Sequence, residues 1–467
     1  MKKLNKGFMF YFGILFAVLV AAFLICVVIM VLSPGTSIFG LKYFKADDHE
    51  VYSKMEVYEQ TPTEDGSVYT FKEEAFFTDS SYTINKIIIT SNAHNVKIVK
   101  ANPAFKDPNS FLIDVTNSTH GFSTEKDVES SKSIRYYTDT GILEIVAKVP
   151  EGFWVTGNSS SIQVQFPSSF EASNVSLKIN GGTGDVQIGD SKTNSNMNPN
   201  CITFKSAEIK ANSVTVSDYG QIGTPTRFEN CSFEIADGMF FDSAIFAADL
   251  TIKSTGGNVS LRESDLAIQA ANVIIESKNA TSSYGNITCT TLNLKNIYGS
   301  QSFGEVNGAV VVSADSRKCD YSFKKVNSLK VGEAATETEK EKSAEKCNFV
   351  IDTCPDVVFD IHTTGKVTIK KATNVNTTVT LEKVDEKNYA NSLVITGAKY
   401  TLSFTEATEN EQTFRTFKIV SSLGGEMTVS YAKDEAFKEF VGTLDGIEFK
   451  VTFLSFDSWK VSAVRKG

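Results

Sequence analysis

The chain has 467 residues, 41% of them hydrophobic and 22% charged, with nine prolines, so it can bury a sizeable core and is neither a disordered polymer nor a low-complexity stalk. Thirty glycines, 34 phenylalanines and abundant Asn, Ser, Thr, Val and Ile favour strands joined by tight turns and exclude a helical bundle. Residues 1–45 carry five lysines and no acid, so the formal charge of −9 leaves −14 beyond them, a balance that excludes nucleic acid as a partner because phosphates would be repelled.

Residues 1–7 form a short basic tail with Lys2, Lys3 and Lys6. Residues 8–32, Phe8 to Leu32, contain no charge and only Tyr11 and Gly13 as breaks. At ~1.5 Å per residue this run crosses a bilayer with some tilt, and Ser33-Pro34-Gly35 then stops a helix. The run is too long for a signal-peptide core, and no small-x-small cleavage pattern follows it. Bulky Ile25 before Cys26 argues against lipidation there. The expectation is one transmembrane helix and a single-pass cell-membrane protein. The lysines place its N-terminus in the cytoplasm and its C-terminal domain outside the cell. The membrane is therefore the first expected partner, through residues 8–32.

Residues 33–80 mix acids and aromatics, as in Asp47-Asp48-His49-Glu50 and Glu73-Glu74-Ala75-Phe76-Phe77, without a sustained period, and read as a juxtamembrane spacer. From residue 81 a unit recurs: apolar-x-apolar, a short gap rich in Gly, Asn, Ser and Thr, then apolar-x-apolar again. It appears as Ile87, Ile89, Val96, Ile98; as Phe153, Val155, Ile162, Val164; as Leu177, Ile179, Val186, Ile188; as Leu250, Ile252, Val259, Leu261; and as Leu393, Ile395, Leu402, Phe404. Alternation with period two puts the apolar side chains of each unit on one face. Several units start about 24 residues apart, the length of one solenoid turn. The fold class expected is all-β, a right-handed parallel β-solenoid-like ectodomain over residues 81–408, with an array of β-sandwich units as the alternative. Residues 333–346 form a charged loop within it, and residues 409–467 form a C-terminal β cap that closes an otherwise open strand edge.

Six cysteines follow the membrane run: Cys201, Cys231, Cys289, Cys319, Cys347 and Cys354. They allow 15 connectivities, among which a short Cys347–Cys354 loop is plausible by spacing. Four scattered histidines and the absence of CxxC give no zinc site.

The stretches Leu177-Lys178-Ile179-Asn180-Gly181-Gly182-Thr183-Gly184-Asp185-Val186-Gln187-Ile188 and Leu250-Thr251-Ile252-Lys253-Ser254-Thr255-Gly256-Gly257-Asn258-Val259-Ser260-Leu261 carry an L-x-I, glycine-rich gap, V-x-L/I rhythm. In this the chain resembles the bacterial "putative adhesin" family, over about residues 84–405. The resemblance implies a surface-exposed solenoid behind a membrane anchor and brings no catalytic residue with it.

A search for chemistry finds no nucleophile elbow, zinc-protease helix or phosphate-binding loop. Gly182-Thr183-Gly184 reads as a corner between strands. Asp185, Asp190 and Asp218 are the acids available to a polysaccharide-active β-helix, though turn-capping is the commoner role. Phe233, Met239-Phe240-Phe241 and Phe246 read as core stacking, with a sticky patch as the rival. No catalytic, cofactor-binding or metal site and no cofactor is expected. The function expected is adhesin-like contact with a partner protein, cell or envelope polymer. The alternatives are a carbohydrate-active enzyme and an envelope scaffold without an external ligand.

Overall fold

A computed structural model describes residues 6–33, 36–52, 55–64, 66–74, 83–100, 111–157, 160–167, 170–189, 203–216, 226–241, 245–261, 267–333, 340, 342–353, 358–372, 374–433, 435, 439–453 and 458–465. Among the described residues the fold is all-β apart from the helix Lys6–Leu32 and the short helical turns Glu125–Glu129 and Ala172–Asn174. The chain divides into two compact units, residues 1–170 with 175–187 and residues 171–174 with 188–467, a boundary that falls within the expected 81–408 segment.

In the first unit the helix Lys6–Leu32 is long and apolar enough to cross a membrane, and nearly all of its side chains are exposed. The strands after it replace the expected spacer. Ser37–Ile38 turns back into Leu41–Tyr52, which pairs antiparallel with Leu112–Thr124, while Met55–Thr63 and Gly66–Glu74 form a second hairpin. Backbone pairing to Leu112–Thr124, far along the chain, orders this segment even though its own sequence lacks a clean period.

The core of this unit is a stack of parallel strands. Lys86–Thr90 lies between Ile142–Ala147 and Ser176–Asn180. Ile87 therefore faces Leu143 and Leu177, and Ile89 faces Ile145 and Ile179, all fully or almost fully buried. Asn95–Lys100 pairs in parallel with Ser161–Phe166, setting Val96 on Ile162 and Ile98 on Val164. Phe153 and Val155 were expected inward, but Phe153 is 39% exposed and Val155 is half-buried. The pairing of Gly152–Gly157 with Leu112–Thr124 shifts between Phe153 and Thr156, and this bulge breaks the alternation on which the expectation rested.

The second unit is built on longer parallel ladders. Thr203–Val216, Thr226–Phe241, Ile245–Ser254, Ala267–Tyr284, Asn286–Val312 and Arg317–Val331 follow one another, each paired in parallel with the next. Like positions superpose. Phe233, Ile252, Ile275 and Leu294 form one buried column, and Cys231, Leu250, Val273 and Leu292 another. Aromatic rings stack at the strand spacing: Tyr284 on Phe303 at 5.0 Å, Phe303 on Phe323 at 4.9 Å and Tyr321 on Phe349 at 5.0 Å.

One buried column is polar. Ser254, Ser277 and Asn296 are in register; Ser277 Oγ donates to Asn296 Oδ1 at 2.7 Å, and Asn296 Nδ2 donates to the Tyr321 hydroxyl at 3.0 Å. Ser277 and Asn296 thus find partners on the next strand, and Ser254 Oγ donates to the Gly257 carbonyl at 2.6 Å, which offsets the desolvation cost of placing them inside.

The step between ladders is not constant. Leu250 opposes Val273 and Val273 opposes Leu292, but Phe323 opposes Ile351, because the charged segment 333–346 adds length there. That segment leaves and returns through one rung: Glu333 and Lys342 exchange both backbone hydrogen bonds, at 2.8 and 3.0 Å. Residues 334–339 and 341 lie outside the described set.

The parallel run ends at Asn388–Ile395, which continues as an antiparallel meander through Ala398–Glu409, Gln412–Ser421 and Glu426–Ala432. Ile447–Phe453 and Ser458–Arg465 pair antiparallel, and the latter covers Asn374–Thr380. Leu393, Ile395, Leu402 and Phe404 therefore line a hairpin and not a coil, and the antiparallel part begins at residue 388, ahead of the expected 409. Thr396 and Gly397, with φ of 48° and 87°, make the two-residue turn that reverses the chain, while period two is the same on either side of a hairpin or a corner. Trp459 is fully buried there between Phe404, Phe417 and Phe453.

The columns lead to a paired test. Ile252 is fully buried and Ile274, on the opposite face of the neighbouring strand, is 37% exposed. Ile252→Asp buries an unpaired charge and should cost several kcal/mol. Ile274→Asp should leave the melt nearly unchanged. Equal melts in thermal denaturation would show that the face assignment is wrong.

Candidate binding surface

The outward faces of the second unit's ladders carry a row of charges in register. Lys210 opposes Glu234, Glu234 opposes Lys253, Lys253 opposes Glu276 and Glu276 opposes Lys295. Sign alternates at every rung. Lys210 Nζ lies 2.8 Å from Glu234, Lys253 Nζ 3.3 Å from Glu276 and Lys295 Nζ 2.8 Å from Asp315. Hydrogen bonding to Lys295 holds the Asp315 carboxyl below the usual carboxylate range, and the same bond raises Lys295. These pairs are exposed, so each stabilises little, yet a one-rung slip would set like charges side by side.

A parallel row of short polar side chains runs beside it. Asn230, Asp249 and Asn272 are in register, and Asn272 Nδ2 donates to Asp249 Oδ1 at 2.7 Å. Next to the charged row lies an open groove of about 590 Å³ whose lining includes Ile274, Glu276, Lys295, Asp315, Lys330 and Glu333. A second groove, of about 480 Å³, runs over the edges of Tyr284, Phe303 and Phe323, with Asn286, Lys324 and Asp352 at its rim. The first offers fixed, alternating charges and the second offers amides, hydroxyls and ring edges, a pattern suited to many weak polar contacts.

The acids considered for catalysis are not brought together in the described part. Asp185 stands exposed at the start of Asp185–Ile188, while Asp190 and Asp218 lie outside the described residues. Phe233 and Met239 are buried in the core columns, Phe240 is half-exposed, and the side chains of Phe241 and Phe246 lie outside the described set. Gly182, at φ 58°, and Gly184 do form a corner: a Cβ on Gly184 would lie 2.1 Å from the His94 carbonyl oxygen, too close for any other residue.

Cys347 is a free thiol, buried beside Cys319 of the neighbouring strand, to which it hydrogen-bonds; Cys354, its expected disulfide partner, lies outside the described residues. That hydrogen bond and burial push the Cys319 thiol up, burial does the same to Cys231, and Cys289 is pushed up to about 11. The contact with Cys319 lowers Cys347, but Cys347, like Cys231 and Cys319, is buried away from reagents.

No protein-family model matches the chain, and no curated protein matches it. Among solved structures, a crystal structure titled as that of a "putative adhesin" from Bacteroides fragilis NCTC 9343 aligns over 61% of this chain and 91% of its own, at 11% identity and a TM-score of 0.25. That level of likeness carries no argument about this chain.

Two outcomes follow from the surface and the thiols. Glu276→Lys sets positive charges on three consecutive rungs, so its melting temperature should fall at low salt and largely recover at high salt; a loss indifferent to salt would contradict the electrostatic reading. Maleimide at neutral pH should leave Cys231, Cys319 and Cys347 unlabelled in the native protein and label all three after denaturation. Fast native labelling would show the columns to be open.

Proposed function

We propose that the chain is a membrane-anchored surface protein that acts by contact and not by catalysis. The helix Gly7–Leu32 holds it in the cell membrane, the basic tail stays in the cytoplasm, and the β body stands outside. The stacked parallel ladders are the turns of a right-handed β-solenoid, adhesin-like in use, and their outward face binds a cell, an envelope polymer or a partner protein. The observation that supports this most is the row from Lys210 to Lys295, which repeats one polar surface along five consecutive strands beside a groove. Repetition of weak sites along a rigid rod turns modest single contacts into firm attachment to a polymeric or multivalent partner.

The test uses the full chain in proteoliposomes. Beads or cells bearing envelope polysaccharide should be retained by these vesicles, and a variant combining Glu234→Lys with Glu276→Lys should lose retention at a salt concentration where it is still folded. An unchanged polymer is part of the expected result. Release of new reducing ends from the polysaccharide would overturn the reading in favour of an enzyme, and failure to retain any surface would favour a scaffold. On intact cells, a membrane-impermeant amine reagent should label Lys253 and Lys295; protection of both would contradict the outward orientation.

A further inference from the structure

Two aromatic residues in the first unit occupy backbone conformations that bulky side chains normally avoid, and both are turned outward. Phe39 sits at the tip of the hairpin between Ser37–Ile38 and Leu41–Tyr52, with φ 53°, followed by Gly40 at φ 77°. Such a turn ordinarily selects Asn, Asp or Gly at both central positions. Phe39 is nonetheless 96% exposed. Trp154, with φ 54°, lies in the bulge between Phe153 and Thr156 and is 65% exposed. The bulge runs so close to Leu112–Thr124 that a Cβ on Gly121 would lie 2.8 Å from the Val155 Cα, so only glycine admits it there. A bulge re-aims a side chain, and backbone strain of this kind is retained where the side chain's direction matters.

The two residues belong to the end edge of the sheet where Leu41–Tyr52 and Gly152–Gly157 begin and Leu112–Thr124, between them, stops. Tyr43 and Phe153 both oppose Phe122 from its two neighbouring strands; their rings lie 5.1 and 5.3 Å from that of Phe122, and Trp154 lies 5.4 Å from Phe153. Tyr43 is four residues along the strand from Phe39, about 14 Å at strand rise. The edge is also tied to the membrane helix. Leu32 ends that helix, seven residues before Phe39, a tether of at most about 25 Å. The actual path is shorter, because the Thr36 amide donates to the Ser33 carbonyl at 3.1 Å and the helix touches both strands of the hairpin.

The geometry points to the lipid headgroup layer as the occupant of this edge: Phe39, Phe153 and Trp154 form an aromatic foot that rests in the interface of the same bilayer that α-helical residues 7–32 span. This inference deepens the anchor reading given above and rests on it. Trp favours the headgroup level, where its apolar body and its indole N–H are both accommodated, and the wholly apolar Phe39 and Phe153 rings would dip beside it towards the acyl chains. Around the foot, Lys42 and Lys126 are offset by Glu125 and Asp127, so seating should not depend on anionic lipid. The foot would fix the tilt of the first unit against the membrane, which a single point of attachment cannot do.

The chain has two tryptophans, and Trp459 is fully buried, so Trp154 reports the foot directly. The experiment places the full chain in phosphatidylcholine vesicles, with and without bromine on the acyl chains, and reads tryptophan emission after flotation. Brominated lipid should remove Trp154 emission, aqueous iodide should not, and the Trp154→Phe variant should float equally well while losing the lipid quenching. If the chain floats but Trp154 is quenched by iodide and ignored by brominated lipid, the foot is overturned while the anchor stands. If Trp154 is protected from both quenchers, the edge is covered by protein, a second copy or another partner, and the foot is again overturned. If the chain does not float, the anchor reading falls and the foot falls with it.

Discussion

Side-chain superposition across parallel strands is the constraint on which the rest of this protein depends. In a parallel ladder each residue sits about 4.8 Å from its equivalent on the next strand, so whatever a position carries is repeated along the stack. Inside, this produces the columns Phe233–Ile252–Ile275–Leu294 and Tyr284–Phe303–Phe323, where one ring or branched chain fills the space above the last. Polar residues enter the same interior where a partner is at hand: Ser277 and Asn296 bond to each other across strands, while Ser254, which follows Ile235 in the column, donates to the Gly257 carbonyl. Outside, the same rule makes a row of alternating charge. Register, core and surface are therefore set together, and a change at one rung is felt by the rungs on either side.

A stack of this kind has an unpaired strand at each end, which is a hazard for edge-to-edge association. At the C-terminal end the chain answers it by changing pairing. Asn388–Ile395 continues the parallel run on one side and starts an antiparallel meander on the other, and Ser458–Arg465 returns to cover Asn374–Thr380 with Trp459 as its buried centre.

Much of this was legible from period two alone. Leu177, Ile179, Val186 and Ile188, and Leu250, Ile252 and Val259, face inward as their alternation requires. The same signal misled where a turn replaced a corner, at Leu393 to Phe404, since alternation flanks both and only Thr396-Gly397 marks the reversal. It misled again at Phe153, where a bulge shifts the alternation and the sole cue was Gly121, far away in sequence. Residues 41–52 gave no period because their order comes from pairing with Leu112–Thr124. The charged row was invisible for a different reason: Lys210, Glu234, Lys253, Glu276 and Lys295 are separated by unequal steps, and no fixed repeat aligns them until the strands are paired.

The most direct test of the parallel stack is a distance between spin labels on residues 210 and 295 of the full chain, measured by pulsed dipolar spectroscopy. Four rungs of about 4.8 Å separate them, so the backbone distance is about 19 Å despite the long intervening sequence. A narrow distribution near that value, widened only by the label linkers, is the result the stack requires. A broad distribution, or one centred at twice that distance, would mean that these strands belong to separate modules and would remove the columns, the charged row and the proposed binding face together.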